Sequence, residues 1–173
     1  MPPLLLRGLM LASAVAALTC AMAVAGSETV RERREVVGFD QVVLRTVGDL
    51  YIEQGESEAL IVEAEPRVLP KVRAVVKDRT LVIDLTDNVS TQQPLRYHLR
   101  VKGLRAIVSE ASGEISVGRL QTEQLDVLLN GSGTLKVAGL VARRLRLRMT
   151  GSAEVSVSGA VQEQLVSIEG SGE

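Results

Sequence analysis

The sequence contains no Trp, one Phe (Phe39), two Tyr (Tyr51 and Tyr97), one His (His98) and one Cys (Cys20). One His and one Cys leave almost no material for a zinc site or a Cys–His nucleophile–base pair. Charge of one sign is lacking too. Twenty Lys plus Arg stand against 21 Asp plus Glu, a formal net charge of −1, which argues against a strongly basic nucleic-acid binder. With 46% hydrophobic and 24% charged residues, a disordered polyelectrolyte is also excluded. What is present makes a largely aliphatic core, in 173 residues, enough for one domain of ordinary size, or one and a half.

The first twenty-five residues read as an address. Met1 to Arg7 carries one positive charge, and Gly8 to Ala25 is uncharged, ending in Ala21-Met22-Ala23-Val24-Ala25. That order describes a secretory signal peptide with small side chains where the peptidase needs room, cut after Ala25 or Ala23. Ala17-Leu18-Thr19-Cys20 approaches a lipoprotein box, but Thr19 stands where Gly or Ala is expected and Leu18 is one place too close to Cys20. A retained anchor is the other alternative, since 18 uncharged residues are marginally long enough to cross a bilayer. Cleavage after Ala25 removes Arg7 and Cys20 and leaves a cysteine-free chain that only its core can hold together.

Residues 26–35 form a charged leader, and from Gly38 the period is two. Short strands at about ten-residue spacing are expected over 41–45, 50–54, 60–64, 80–85 and 97–102, the all-β signal. Glu65-Pro66-Arg67 predicts the opening of one short helix running to Val76, because Pro is tolerated in a first turn. Lys77-Asp78-Arg79 is a turn, and 86–94 a polar loop.

The texture then changes. Ser112, Ser132, Ser152 and Ser171 each sit in a Gly/Ser cluster, at steps of 20, 20 and 19. Aliphatics follow at fixed offsets: Ile115, Leu135 and Val155; Val117, Val137 and Val157; Leu120, Leu140 and Ala160; Leu125, Leu145 and Leu165. Such a repeat predicts stacked coils of parallel strand about 4.8 Å apart, aliphatics piled inside and Gly at the corners. The expected fold is thus all-β: a right-handed parallel β-helix, or β-solenoid, with coils of about 20 residues over 109–173. It is preceded by an N-terminal β part over 36–108 that includes the one short helix. In-register stacking places Arg143 between Glu123 and Glu163, and Asp126 above Arg146. The run Arg143, Arg144, Arg146, Arg148 is then a solvated, charge-paired face, with an anionic-ligand patch as the alternative.

Chemistry is sparse. Glu114 and Glu154 share an offset but Thr134 lies between them, and Glu123 and Glu163 are separated by Arg143, about 9–10 Å for two strand spacings. That touches the upper range for an inverting glycosidase pair, yet no aromatic occurs after Tyr97 to stack on a sugar. Gly131-Ser132-Gly133-Thr134 lacks the Lys of a phosphate loop and the Asp of a calcium-binding β-roll repeat, and no Gly-x-Ser-x-Gly elbow occurs. His98 is expected at the surface. No catalytic, cofactor-binding or metal-binding residue is assigned, and no cofactor.

Val37-Gly38-Phe39-Asp40-Gln41-Val42, Gly48-Asp49-Leu50-Tyr51-Ile52-Glu53-Gln54-Gly55, Thr80-Leu81-Val82-Ile83, Val101-Lys102-Gly103-Leu104 and the Gly-Ser-Gly corners resemble a bacterial family of unknown function, the putative auto-transporter adhesin, head GIN domain. The resemblance runs from about Val36 to Glu173. It implies a mostly-β domain dominated by a parallel β-helix, an adhesin-like role and no catalytic residues to carry over. Asn88-Val89-Ser90, a glycosylation triplet elsewhere, is coincidence in such a protein. The family continues with further coils past the point where this chain stops, so a truncated fragment is one expectation. The resulting expectation is an exported cell-envelope module for binding, adhesion or structure, not an enzyme. Its location is periplasmic, outer-membrane-associated or extracellular. Its partner is an unidentified envelope or surface ligand, protein or glycan, not nucleic acid, with self-association through an open C-terminal coil. A carbohydrate-active β-helix enzyme is the alternative.

Overall fold

Alternation of apolar and polar side chains forms the strands. Gln41–Leu44 buries Val42 and Leu44, and Asp49–Gln54 buries Leu50 and Ile52. The structure, a computed structural model, describes residues 28–173; the signal peptide expected over 1–25 lies outside the described residues. Among the described residues twelve strands form: β1 (Val30–Arg34), β2 (Gln41–Leu44), β3 (Asp49–Gln54), β4 (Ala59–Ala64), β5 (Val72–Lys77), β6 (Thr80–Leu85), β7 (Arg96–Val101), β8 (Ala106–Ser109), β9 (Glu114–Val117), β10 (Leu120–Gly131), β11 (Thr134–Gly151) and β12 (Glu154–Gly170).

All twelve join one mixed sheet in the order β1-β4-β7-β3-β9-β11-β10-β8-β2-β6-β5, with β12 added to β11. The sheet curls into a nearly closed barrel shape around one aliphatic core. This overturns the expected right-handed parallel β-helix with coils of about 20 residues. The repeat does set local register: Val117 lies beside Val137, and Val137 beside Val157. However, β1, β4 and β5 pair antiparallel, and the short N-terminal strands join the repeat strands edge to edge. The physical reason is that the period covers only the C-terminal part. Strands without it must still satisfy their backbone groups and bury their apolar face, and they do both by extending the same sheet.

The long strands turn the sheet. The N-terminal part of β11 pairs with β9 and its remainder with β10, so a first face (β1, β4, β7, β3, β9 and the starts of β11 and β12) passes into a second (β5, β6, β2, β8 and the ends of β10, β11 and β12). Between the faces lie Leu50, Ile52, Leu60, Leu81, Ile83, Tyr97, Ile107, Leu120 and Leu125, all fully buried, each worth about 1.5–3 kcal/mol. Glycine is required where the corners stack. Gly151 (φ +115°) follows Gly131, and a Cβ at Gly151 would lie 2.5 Å from the Gly131 carbonyl oxygen.

Three further expectations are corrected. The helix from Glu65 to Val76 is a single 3-10 turn, Leu69–Lys71, after which Val72–Lys77 is strand; Pro70 permits a turn, while the β-branched Val72, Val75 and Val76 favour extension. Leu165 does not stack on Leu145. A one-residue slip between Val137 and Leu140 sets Leu165 beside Arg146, outward and 65% exposed. The same slip, a bulge at Ala138-Gly139 produced by the 19-residue last step, places Glu163 opposite Arg144 rather than Arg143.

Candidate ligand face

Several strands carry apolar side chains on both faces: Val42-Val43-Leu44, Leu81-Val82-Ile83 and Val127-Leu128-Leu129. The inward members are core. The outward ones line up across the second face: Val75 on β5, Val82 on β6, Val43 on β2, Val108 on β8 and Leu128 on β10 are consecutive register partners. Val75 is exposed and the other four are half-buried. The row continues into Arg148 on β11 and Ser167 on β12. The neighbouring row runs Gln41, Ala106, Asp126, Arg146, Leu165. The ends of the two rows, from Val108 and Leu128 to Arg148 and Ser167 and from Ala106 and Asp126 to Arg146 and Leu165, line a shallow hollow of about 290 Å³.

Its electrostatics are one-sided. Arg144 is taken by Glu163 at 2.9 Å, whereas neither Arg146 nor Arg148 has an ion-pair partner among the described residues. Asp126 lies beside Arg146 in register, but its Oδ2 accepts from Gln124 Nε2 at 2.7 Å, and its buried Oδ1 has no hydrogen-bond partner. The face therefore offers an aliphatic strip ending in two uncommitted guanidinium groups. It can hold a ligand with an apolar body and an anionic group.

A second outward feature lies on the first face. Tyr51 and His98, partners on β3 and β7, stack with centroids 5.2 Å apart and ring planes 16° apart. With Arg33, Glu53, Ile61 and Arg100 they line a smaller hollow of about 140 Å³. Below it Glu63 is clamped by Arg31 Nε (2.8 Å) and Arg96 Nη1 (3.0 Å); the Arg31 hydrogen bond, against the opposing pull of burial, holds its carboxyl below the usual range. His98 Nε2 stands 3.8 Å from Glu63 Oε2, without a hydrogen bond. A wider hollow of about 830 Å³ runs along the turn of the long strands, but its Gln54 amide is spent on the Lys102 and Gln121 carbonyls.

Two of the carboxylates considered for catalysis, Glu114 and Glu163, are engaged by cations. Glu114 accepts from Lys136 Nζ at 2.9 Å, and this hydrogen bond, helped by the charges of Glu114 and Glu154, holds the Lys136 ammonium above its usual range. Glu163 is engaged by Arg144. Among the described residues no group of three or more His, Cys, Asp or Glu side chains is placed to hold a metal ion. The Arg146–Arg148 patch was legible as the alternative for the Arg run. The valine ladder was missed, although its signal was present: strands apolar on both sides are either doubly covered or display an apolar outer face. The Tyr51–His98 stack requires a β3–β7 pairing that no local spacing announces.

Fold and face together define a mixed-sheet β domain that presents its sheet faces to the outside. The chain belongs to the putative auto-transporter adhesin, head GIN domain family, which it matches over residues 38–173. No curated protein matches it. Among solved structures it is similar to a putative lipid binding protein from Parabacteroides distasonis, with TM-score 0.71 and 16% identity over 82% of this chain. The chain spans 62% of that protein's length. It is also similar to a putative adhesin from Bacteroides fragilis, with TM-score 0.57, 14% identity, 85% of this chain and 96% of that one covered. At these identities the likeness is one of fold.

Proposed function

We propose that this chain is a non-catalytic adhesion module exported to the cell envelope, and that it holds its ligand on the outward ladder of the second face. The observation that carries this is the juxtaposition of Val43, Val82, Val108 and Leu128 with the unpaired Arg146 and Arg148. An aliphatic strip of this length exposed on a sheet face is costly unless something covers it, and two free guanidinium groups select an anionic end. The ligand class is an amphiphile with an acidic group, the chemistry of an anionic lipid. The similarity to a protein named as lipid binding supports that choice, and the family description supports the envelope setting.

Flotation with vesicles of phosphatidylcholine, with and without phosphatidylglycerol, tests it. The chain should float with the acidic vesicles, and Arg146→Gln with Arg148→Gln should weaken this by about 2 kcal/mol, roughly thirtyfold. Absence of vesicle binding, or equal binding by the variant, overturns the assignment. The Tyr51–His98 stack favours a second reading, a glycan ligand on the first face. Binding to a glycan array that is lost in Tyr51→Ala and unchanged in the arginine variant would select it instead.

A further inference from the structure

Three strands of the second face begin at one place. Asp40 precedes β2, Arg79 precedes β6 and Arg105 precedes β8. Their backbones are tied together: the Asp40 and Gln41 N–H groups donate to the Arg79 carbonyl, and the Arg105 N–H donates to the Asp40 carbonyl. The side chains repeat the tie. Arg79 Nε (3.1 Å), Arg79 Nη2 (2.6 Å) and Arg105 Nε (2.7 Å) all donate to one oxygen, Asp40 Oδ2, while Oδ1 has no hydrogen-bond partner. Asp40 is buried, whereas Arg79 and Arg105 keep 69% and 58% of their side chains exposed. A hollow of about 400 Å³ opens over them, lined also by Lys102, just past β7, and by Glu58, just before β4.

One carboxylate balances one guanidinium. Asp40 holds two, so one positive charge is left over, and Lys102 adds another, with no ion-pair partner among the described residues. Glu58 opposes them in part: its Oε2 accepts the Gly38 N–H at 2.8 Å, and its charge acts on Arg79 without forming an ion pair. The tie to Asp40 uses the inner donors alone. Arg79 Nη1 and both Nη groups of Arg105 have no acceptor among the described residues. The turn that carries Arg79 points to its side chain as well. Asp78 and Arg79, at φ +49° and +62°, form the two-residue β5–β6 turn, where Asn-Gly is usual. A glycine would offer the same backbone carbonyl without strain, so what the arginine adds there is its guanidinium. A Cβ on Gly38 or Gly103 would stand in open space, so these two glycines leave bare backbone beside the hollow.

We propose that this hollow is an oxyanion site that takes a phosphate or sulfate ester. The outer Nη groups of Arg79 and Arg105 hold two oxygens of the anion, and the Lys102 ammonium holds a third. Asp40 is the positioning residue: it fixes both guanidinium groups from below and does not touch the anion. A carboxylate ligand is served by the fork of one arginine, whereas three donors on separate stretches of chain suit a tetrahedral group with oxygens on several sides. The site uses neither Arg146 nor Arg148 and stands independently of the aliphatic ladder.

The amide resonances of Gly38 and Gly103 read the site, in the chain expressed in full and recovered as the cell processes it. Titration with inorganic phosphate or sulfate, at ionic strength held constant with chloride, should shift them saturably. Lys102→Gln with Arg105→Gln should weaken binding by about tenfold or more. Lys102→Gln alone leaves the Asp40 tie intact and should still weaken it about threefold, while Glu58→Gln should tighten it about threefold. Those opposite signs separate lost binding from a damaged fold. Arg146→Gln with Arg148→Gln should bind phosphate as the native chain does. Flotation with phosphatidylglycerol vesicles then identifies the source of the ester. Flotation lost in the Lys102 and Arg105 variant marks a lipid headgroup, and flotation kept while phosphate binding falls marks a soluble or polymer-borne ester. No saturable shift with either anion, unchanged binding in the Lys102 and Arg105 variant, or loss of tightening in Glu58→Gln overturns the proposal.

Discussion

Tyr97 is the largest of the fully buried side chains, and its hydroxyl sits in the core without a hydrogen-bond partner. Burial pushes its phenol up to about 12; the neighbouring Thr46 hydroxyl pulls the other way but falls short of a made hydrogen bond. The folded group thus keeps its proton where the unfolded chain, with a pKa near 10, has lost it. Stability from this group is complete below pH 10 and falls as pH rises toward 12, by about 3 kcal/mol for the two-unit difference. Urea unfolding at pH 9 and 11.5 should show about 2 kcal/mol of that loss in the native chain and not in Tyr97→Phe, which at neutral pH should be as stable or about 1 kcal/mol more so because the orphan hydroxyl is gone. Asp40 behaves in the opposite sense. Burial alone would raise its carboxyl, yet hydrogen bonds from Arg79 and Arg105 bring it below 3.8. Its contribution is present above about pH 4 and lost as pH falls through the depressed value, so the stability gap between native and Asp40→Asn should narrow between pH 6 and pH 3 in denaturant titrations.

At the scale of elements, the slip between β11 and β12 decides which residues are core. Spacing alone put Leu165 in one column with Leu125 and Leu145; the bulge at Ala138-Gly139 moves it outside. Leu145→Ala should therefore cost about 2–5 kcal/mol and Leu165→Ala no more than about 0.5 kcal/mol, measured by chemical denaturation. Equal costs would return Leu165 to the interior. Gly159 fixes the slip, since a Cβ there would meet the Leu140 carbonyl oxygen at 2.0 Å at a φ of +140°. Gly159→Ala should open β12 to amide exchange while the β10–β11 ladder stays protected. Strand positions and the 20-residue register were legible in the sequence because alternation and glycine corners are local signals. The slip was present only as a last step of 19 instead of 20, and the failed helix after Pro66 turned on β-branched residues outweighing a permissive proline.

At the scale of the molecule, what a repeat cannot announce is how the rest of the chain attaches to it. Coils stacked on themselves would form one stability unit and the N-terminal strands another. Here β2 and β6 continue the β8–β10 ladder, β3 and β7 continue β9, and Phe39, Leu50 and Tyr97 share a core with Leu120, Leu125 and Leu140. A common sheet over a common core has no plane along which few contacts are broken, so the molecule should unfold in a single transition. Its composition supplies a built-in test. With no Trp, and both tyrosines on β3 and β7, tyrosine fluorescence reports only the N-terminal strands, while far-UV circular dichroism reports the whole sheet. The two signals should give the same midpoint and slope in urea. If fluorescence changes first and a β-rich signal persists, the repeat strands stand alone, and the N-terminal part is an attached cap rather than a share of one barrel-shaped sheet.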